Sequence, residues 1–330
     1  MVSTIEDVAR LAGVSRGTVS NVLNRPERVG GVTRERVRNA MNKLAYIPNE
    51  SARVLAGGLG RFVGVLVHDT SNPYFSEIIH AAEEIALKAR YTITTISTGT
   101  DPEREKAAVD LLIQQRAQGV LMTPATIGPV DVAQLRGIGT CVVLFDSQSD
   151  NGCSVSVDDV EGGRLAGQHL LRPDIENYVF VGSPSRTAQY RDRLIGFESA
   201  LRESDHPYTL KVIEVERDDI PSGRAAAAAV AEVAKAGRVA VFTGNDLIAI
   251  GLGFALPEYA LTVPNNVALC GYDDIDFSQY LSIPLTSIAQ PMKRIGEAAF
   301  DLLVDEMTNE AHEHRHVRFT PELILRESSE

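Results

Sequence analysis

Between Ser15 and Arg28 the chain gathers side chains that can read a base pair: Arg16, Thr18, Ser20, Asn21, Asn24 and Arg28, with Gly17 among them. An arginine fork can donate to guanine O6 and N7, and an asparagine amide can bond adenine N6 and N7, each through two bonds at once. Gly17 adds no side chain, so the backbone there can approach a groove closely. Such chemistry needs a rigid support. Ile5, Val8, Ala9 and Ala12 recur at helical spacing behind Thr4 and Asp7, a capping-box pair. Gly13 breaks that helix, and Ser15 can cap a second in which Val19, Val22 and Leu23 face inward and the polar set faces out. Two helices across a tight glycine-containing turn form a helix-turn-helix, whose second helix enters the DNA major groove. Thr33 is expected to cap a third helix, burying Val37, Ala40, Met41 and Leu44.

Pro48 should stop that helix, and Asn49 can cap a short fourth over 50–56. Its apolar strip is narrow: Ala52, Leu55 and Ala56, ended by Gly57, Gly58 and Gly60. Two turns of helix do not hold together alone in water, so this segment should order only when something holds it. An exposed leucine on such a helix is a candidate wedge between base pairs in a minor groove.

Three stretches, VARLAGVSRGTVSNVLN, TRERVRNAMNKLAYIPN and ESARVLAGG, resemble the lactose/galactose repressor (LacI/GalR) family without a gap. The resemblance implies a recognition helix that reads one half-site through Arg16, Gly17 and Asn21, and a hinge-helix leucine, Leu55, that intercalates at the operator centre. Thr4, Ser15, Thr18, Ser20, Asn24, Arg28, Asn49 and Ala52 complete the expected DNA-binding set.

The 330-residue chain has room for two or three domains. Its net charge of −12 is unevenly divided. Residues 1–61 hold ten Arg/Lys against five Asp/Glu, a local +5, which leaves −17 on the rest. Phosphate attraction is therefore confined to one end. Cys141, Cys153 and Cys270 are odd in number and far apart, with neither disulfide nor metal spacing, as in a reducing compartment. With no apolar leader and no run of membrane-spanning length, a cytoplasmic protein is expected.

From Arg61 onward, strand-like and helical stretches alternate. Strands are expected at 62–67, 91–96, 119–122 and 141–145, then at 177–182, 210–215, 238–242 and 267–271, with helices between. A helix at 291–308 and strands at 315–318 and 322–326 close the chain. Such alternation means parallel sheets covered by helices, an α/β architecture. The resemblance implies a two-lobed core like that of periplasmic sugar-binding proteins, crossed three times by the chain. The expected division is a head at 1–47, a hinge at 48–60 and a core at 61–330. Within the core, lobe 1 takes 61–158 and 288–312, and lobe 2 takes 159–287 and 313–330.

Open α/β sheets bind ligands beyond the carboxyl ends of their strands. Tyr74 and Phe75 follow the first strand and can stack on a ring or pack the lobe. Asp146 ends the strand 141–145, and Asn245 can cap a helix or reach the cleft. By family resemblance Arg193, in the segment ending RLIGF, Asp273, in GYDD, and Gln290, after TSIA, contact the effector. DDIPSGR (218–224) lacks the aromatic that several sugar-binding relatives place nearby.

No GxGxxG, GxSxG or P-loop motif is present, and no catalytic constellation stands out, so an enzyme is not expected. His312, His314 and His316 alternate on what reads as a charged surface strand, and no metal or other cofactor is expected there. The expectation is a homodimeric repressor of a palindromic operator, without the leucine heptad that makes some relatives tetramers, controlled by a sugar or similar small polar effector. A cytoplasmic sugar- or nucleoside-binding protein without a regulatory role is the alternative.

Overall fold

The computed structural model describes residues 3–46, 61–99, 101–124, 130–148 and 151–330, apart from the side chains of Asn24, Val130 and Asp131. The chain forms two compact units, Met1–Gly60 and Arg61–Glu330.

In the first unit, α1 (Ile5–Ala12), α2 (Arg16–Asn24) and α3 (Gly31–Lys43) enclose a small core of Val8, Ala9, Ala12, Val19, Val22, Val37 and Ala40. The capping box forms in full: Thr4 accepts from the Asp7 amide, and the Asp7 carboxylate accepts from the Thr4 amide. Gly13 ends α1 at φ +62°, a left-handed cap that suits glycine. Ser15 caps α2 by accepting from Thr18 N–H. Thr33 does not cap α3. The helix starts three residues earlier, after Gly30, and Thr33 sits inside its first turn. Gly30 and Gly31 obscured that start because neither offers a capping oxygen.

The second unit contains, in order, β1 (Phe62–Val67), α4 (Pro73–Ala89), β2 (Thr92–Ser97), α5 (Pro102–Gln114), β3 (Gly119–Met122), α6 (Val130–Gly137), β4 (Cys141–Phe145) and β5 (Ser154–Val157). There follow α7 (Asp159–Leu170), β6 (Asn177–Gly182), α8 (Ala188–Glu203), β7 (Thr209–Glu214), α9 (Ile220–Ala234), β8 (Val239–Thr243), α10 (Asp246–Ala255), β9 (Val267–Asp273), β10 (Thr286–Ala289), α11 (Met292–Thr308), β11 (His316–Phe319) and β12 (Glu322–Ile324).

Among the described residues two six-stranded sheets form, in the orders β11-β5-β4-β3-β1-β2 and β12-β10-β9-β8-β6-β7. Only β12 runs antiparallel to its neighbour. The two sheets repeat one winding plan, with the order reversing between β1 and β3 and again between β6 and β8. Ligands bind at such switch points, outside the carboxyl ends of the strands. The central strands are apolar throughout, as burial on both faces requires: Val63, Val65, Leu66 and Val67 in one sheet, Val239, Ala240, Val241 and Phe242 in the other.

The sequence pattern misses β5. Its Ser-Val-Ser-Val alternation reads as half-exposed, yet Ser154, Val155, Ser156 and Val157 are all buried, because β11 covers what would otherwise be an edge. The lobe limits also move. β10 pairs with β9, and β11 pairs with β5, so lobe 1 comprises 61–157 and 292–319 and lobe 2 comprises 159–289 and 322–330. The chain crosses between lobes at Asp158, at 290–291 and at 320–321, rather than at 287/288 and 312/313.

Candidate functional site

On the lobe 2 side a close helix pair positions the cleft. α7 begins at Asp159, immediately after β5, and α8 runs beside it through Arg193. A Cβ at Gly163 would overlap the Arg193 carbonyl, and one at Gly196 would overlap the Val160 carbonyl. Glycine at these positions lets the two backbones touch. That approach brings the Asp159 carboxylate within 2.7 Å of Arg193 Nε, with both side chains at most 10% exposed. Arg193 Nη1 donates to the Gly244 carbonyl at 2.6 Å, and the guanidinium lies 3.6 Å over the Tyr272 ring and 5.2 Å from that of Tyr190. Burial opposes the charge of Arg193, but Asp159, Tyr272 and Asp273 together hold it ionised, well above the usual arginine range. Burial raises Asp159, and the Arg193 charge opposes that rise.

Facing this cation is a chain of hydrogen bonds that joins the lobes. Tyr74 Oη donates to Asp146 Oδ1 at 3.1 Å and to Gln290 Oε1 at 3.4 Å, and Gln290 Nε2 donates to Asp273 Oδ1 at 2.8 Å. From lobe 2 the Gln189 amide donates to Asp146 Oδ2 at 3.3 Å and to the Asp146 carbonyl. Asp146 and Asp273 both stand at positive φ, +53° and +105°. Backbone strain of this kind collects where side chains are held for a ligand. Burial, then the neighbouring Asp159 charge, pushes the Asp146 carboxyl up to about 7, with Arg193 and Tyr74 opposing. Burial likewise lifts Asp273 well above the usual carboxylate range, against the pull of Arg193.

A cavity of about 680 Å³ opens here. Tyr74, Phe75, Asp146, Arg193, Asn245 and Asp273 all line it. Gln290 does not. It is buried one bond behind, steering Tyr74 and Asp273. Asn245 caps α10, accepting from Ile248 N–H at 2.9 Å, while its amide donates to the Asp218 carbonyl, so both roles expected of it coexist. Phe75 packs edge-on against Tyr74 and His68. Burial keeps His68 below the usual histidine range, with the Pro124 carbonyl and Asp218 opposing.

Sequence reasoning missed Asp159, Tyr190, Tyr272 and Gln189. Asp159 was hidden because β5 was: once 154–157 is a strand, Asp158-Asp159 stand at its carboxyl end. Tyr272 lies within β9, next to the recognised Asp273.

In the first unit, Arg16, Gly17 and Asn21 are exposed on α2, as are Thr4, Ser15 and Arg28 on their segments. Thr18 is half-buried and shares a hydrogen bond with Ser15, 2.9 Å between hydroxyls; Ser20 is half-buried too. Arg16 pairs with Glu6 at 2.9 Å on an exposed surface. Such a pair is worth at most about 1 kcal/mol, so Arg16 surrenders it at little cost. A Cβ at Gly17 would meet only Ser15 Oγ, at 3.7 Å. Packing within the head therefore does not require glycine there. Asn49, Ala52 and Leu55 and the Asn24 side chain lie outside the described residues.

Residues 4–49 match the model for bacterial regulatory proteins of the lacI family, and 168–329 match a periplasmic binding protein-like domain. The HTH-type transcriptional repressor PurR of Photobacterium profundum is 31% identical, over 99% of this chain and 98% of that one. A crystal structure of the lac repressor dimer bound to operator and the anti-inducer ONPF superposes over 100% of this chain and 99% of that one, at a TM-score of 0.84 and 26% identity. A LacI family transcriptional regulator from Enterococcus faecium with bound ribose superposes over 81% of this chain and 98% of its own, at a TM-score of 0.74 and 26% identity. The described residues include no helix long and apolar enough to cross a membrane. The chain belongs to the lacI family of bacterial regulatory proteins, as a DNA-binding transcriptional repressor and not an enzyme.

Proposed function

We propose that this repressor binds a palindromic operator in the cytoplasm as a homodimer and releases or gains it when a small neutral polyhydroxylated molecule, a sugar or sugar derivative, enters the inter-lobe cavity. The observation that carries this reading is the constellation of Arg193, Asp146 and Asp273 around that cavity. A buried guanidinium has five N–H donors, of which Asp159 and Gly244 take two. The rest can serve ligand oxygens, while the carboxylates accept from ligand hydroxyls.

The charge of the lining narrows the ligand further. Seven carboxyl groups and four guanidiniums line the cavity, and burial holds Asp146 and Asp273 toward the neutral form. The lining therefore has no excess of cations for a strongly anionic ligand, whereas a neutral sugar meets donors and acceptors together. The relative solved with bound ribose supports this class. The solved lac repressor dimer bound to operator and an anti-inducer supports coupling between a bound small molecule and DNA.

The switch follows from the hydrogen bonds that the ligand must exchange. Gln189 to Asp146 joins the lobes directly, and Tyr74 to Gln290 to Asp273 joins them through the crossing segment. A ligand taking up Asp146 and Arg193 replaces these bonds and changes the lobe closure. In the dimer that change sets the spacing of the two hinge segments, and close hinges fold and insert Leu55. Coupling requires that the ligand bind the two closures with different affinity.

Selection of bound duplexes from a random pool, using the full-length protein, tests the reading. Enrichment of a palindrome is expected, and a panel of pentoses, hexoses, disaccharides and nucleobases is then screened for a member that raises the melting temperature and shifts duplex binding. An asymmetric selected site, or a panel (extended with sugar phosphates) in which only nucleobases or anionic phosphates bind, would overturn it.

A further inference from the structure

Far from the cleft, at the edge of lobe 1, the fold assembles a second group of side chains. Cys153 stands just before β5, Glu306 is in the last turn of α11, and His312 and His314 lie in the turn that leads to β11. Cys153 Sγ is 3.3 Å from His312 Nε2 and 3.8 Å from His314 Nδ1. One ligand atom from each of the four residues lies within 4.8 Å of the others. A tetrahedral ion with bonds of about 2.3 Å to sulfur and about 2.0 Å to nitrogen holds its S and N ligands about 3.5 Å apart. The two sulfur–nitrogen spacings bracket that value.

A plain S–H···N hydrogen bond would explain one of these distances but not the surrounding pattern. His312 Nδ1 is 2.8 Å from the Asp305 carboxylate and donates to it, which fixes the tautomer and turns the bare Nε2 toward Cys153. A carboxylate behind an imidazole is the outer support that metal-ligating histidines use. The Arg315 amide donates to Cys153 Sγ at 3.4 Å. One oxygen of Glu306, Oε2, is buried without a hydrogen-bond partner. A sulfur, two imidazole nitrogens and a carboxylate oxygen thus converge. The His312 side chain is only 8% exposed, and His314 is exposed, which leaves an entry path for an ion.

His316 is not part of the group. It begins β11 and bonds Ser154 Oγ at 2.9 Å. The alternating histidines therefore do not share one strand face, because β11 starts only at the third of them. Cys153 joins them from 159 positions away, a proximity that the sequence does not display.

We propose that Cys153, His312, His314 and Glu306 bind a thiophilic divalent ion of the Zn²⁺ class in a closed tetrahedral site. The ion fastens the end of α11 and the turn before β11 to the start of β5. It acts as a staple at the strand through which the chain makes its last crossing between lobes.

The test uses full-length protein stripped with a chelator and titrated with Zn²⁺ and with Co²⁺, with folding of every variant checked by far-ultraviolet circular dichroism. Expected are one ion per chain, a rise in melting temperature with Zn²⁺, and, with Co²⁺, tetrahedral visible bands plus a thiolate-to-metal charge-transfer band. Cys153→Ser should abolish the charge-transfer band, and His314→Ala, at an exposed position that folding tolerates, should abolish tight binding. Asp305→Asn should weaken binding by the about 10–100-fold typical of lost outer support. Cys141→Ser should change nothing. Absence of binding by the parent protein, an octahedral cobalt spectrum, or undiminished binding by folded His314→Ala would overturn the proposal.

Discussion

The buried Arg193–Asp159 pair yields an asymmetric prediction. Replacing Asp159 with Asn leaves a guanidinium that cannot lose its charge in a site where Arg193 is 3% exposed. Breaking a buried pair by removing one partner costs about 3–5 kcal/mol. Asp273, which also holds Arg193 ionised, moderates this, so the lower end is expected. Replacing Arg193 with Met is different. It leaves Asp159, whose carboxyl burial already raises, and which can take up a proton and keep its hydrogen bond from Tyr272 at 3.0 Å. That costs about 1–3 kcal/mol, the range for one unsatisfied buried polar group. In the double variant neither charge remains, and the loss should fall short of the sum of the two single losses. Urea unfolding followed by circular dichroism measures all three. Effector affinity separates the variants again. Arg193→Met removes hydrogen bonds from a charged donor, each worth about 1.5–3 kcal/mol, so calorimetry should show affinity lower by about 10–100-fold for each bond lost. Operator binding without effector should survive. Equal destabilisation by the two single substitutions, or unaltered effector affinity in Arg193→Met, would refute this account of the site.

Four further outcomes follow. Gly17→Ala should leave stability equal or raise it by up to about 1 kcal/mol, since alanine is the better helix former, yet lower operator affinity in a gel-shift titration. Leu55→Ala should weaken specific operator binding while leaving calorimetric effector affinity intact; unchanged operator binding would remove the wedge. Gly163→Ala should lower the urea midpoint, by about 1–3 kcal/mol in stability, because its methyl meets the Arg193 backbone, and should weaken effector binding with it. Asp146 supplies the pH dependence. Its carboxyl is pushed from the ordinary 3.8 up to about 7, so below that pH the free protein holds a proton that a hydroxyl-donating ligand must displace. Effector affinity should rise with pH through about 7 and then level off, with proton release visible by calorimetry in buffers of different ionisation enthalpy. The contribution of Asp146 to stability runs the other way. Between 3.8 and about 7 only the folded state keeps the proton, so that contribution falls as pH rises across the window.

Much of this was legible from residue spacing. The head could be read because its first two helices are short, separately capped and amphipathic, with Thr4, Asp7, Ser15 and Gly13 marking the ends. Buried parallel strands such as FVGVLV announce themselves by continuous apolarity. The misses share a physical cause, namely partners far away in sequence. β5 is buried by β11, which arrives from the far end of the chain, so its alternation misleads. Asp159 matters because glycines on α7 and α8 allow two backbones to touch, a contact with no local signature. Cys153 meets His312 only after the second crossing has brought the chain back to lobe 1. Lobe limits were misplaced for the same reason, since a crossing point is defined by which strand pairs with which.

The central claim is that a cleft ligand controls recognition of a symmetric site. The most direct measurement titrates full-length protein onto the selected palindromic duplex and onto its isolated half-site, with and without the effector found by the panel. The account predicts two chains per palindrome, much weaker binding to the half-site, and a shift in palindrome affinity by the effector of about 5–150-fold, the span of typical coupling energies. The same shift should be absent from Arg193→Met. One chain per duplex, equal binding of the half-site, or an effector that leaves palindrome affinity untouched would contradict it.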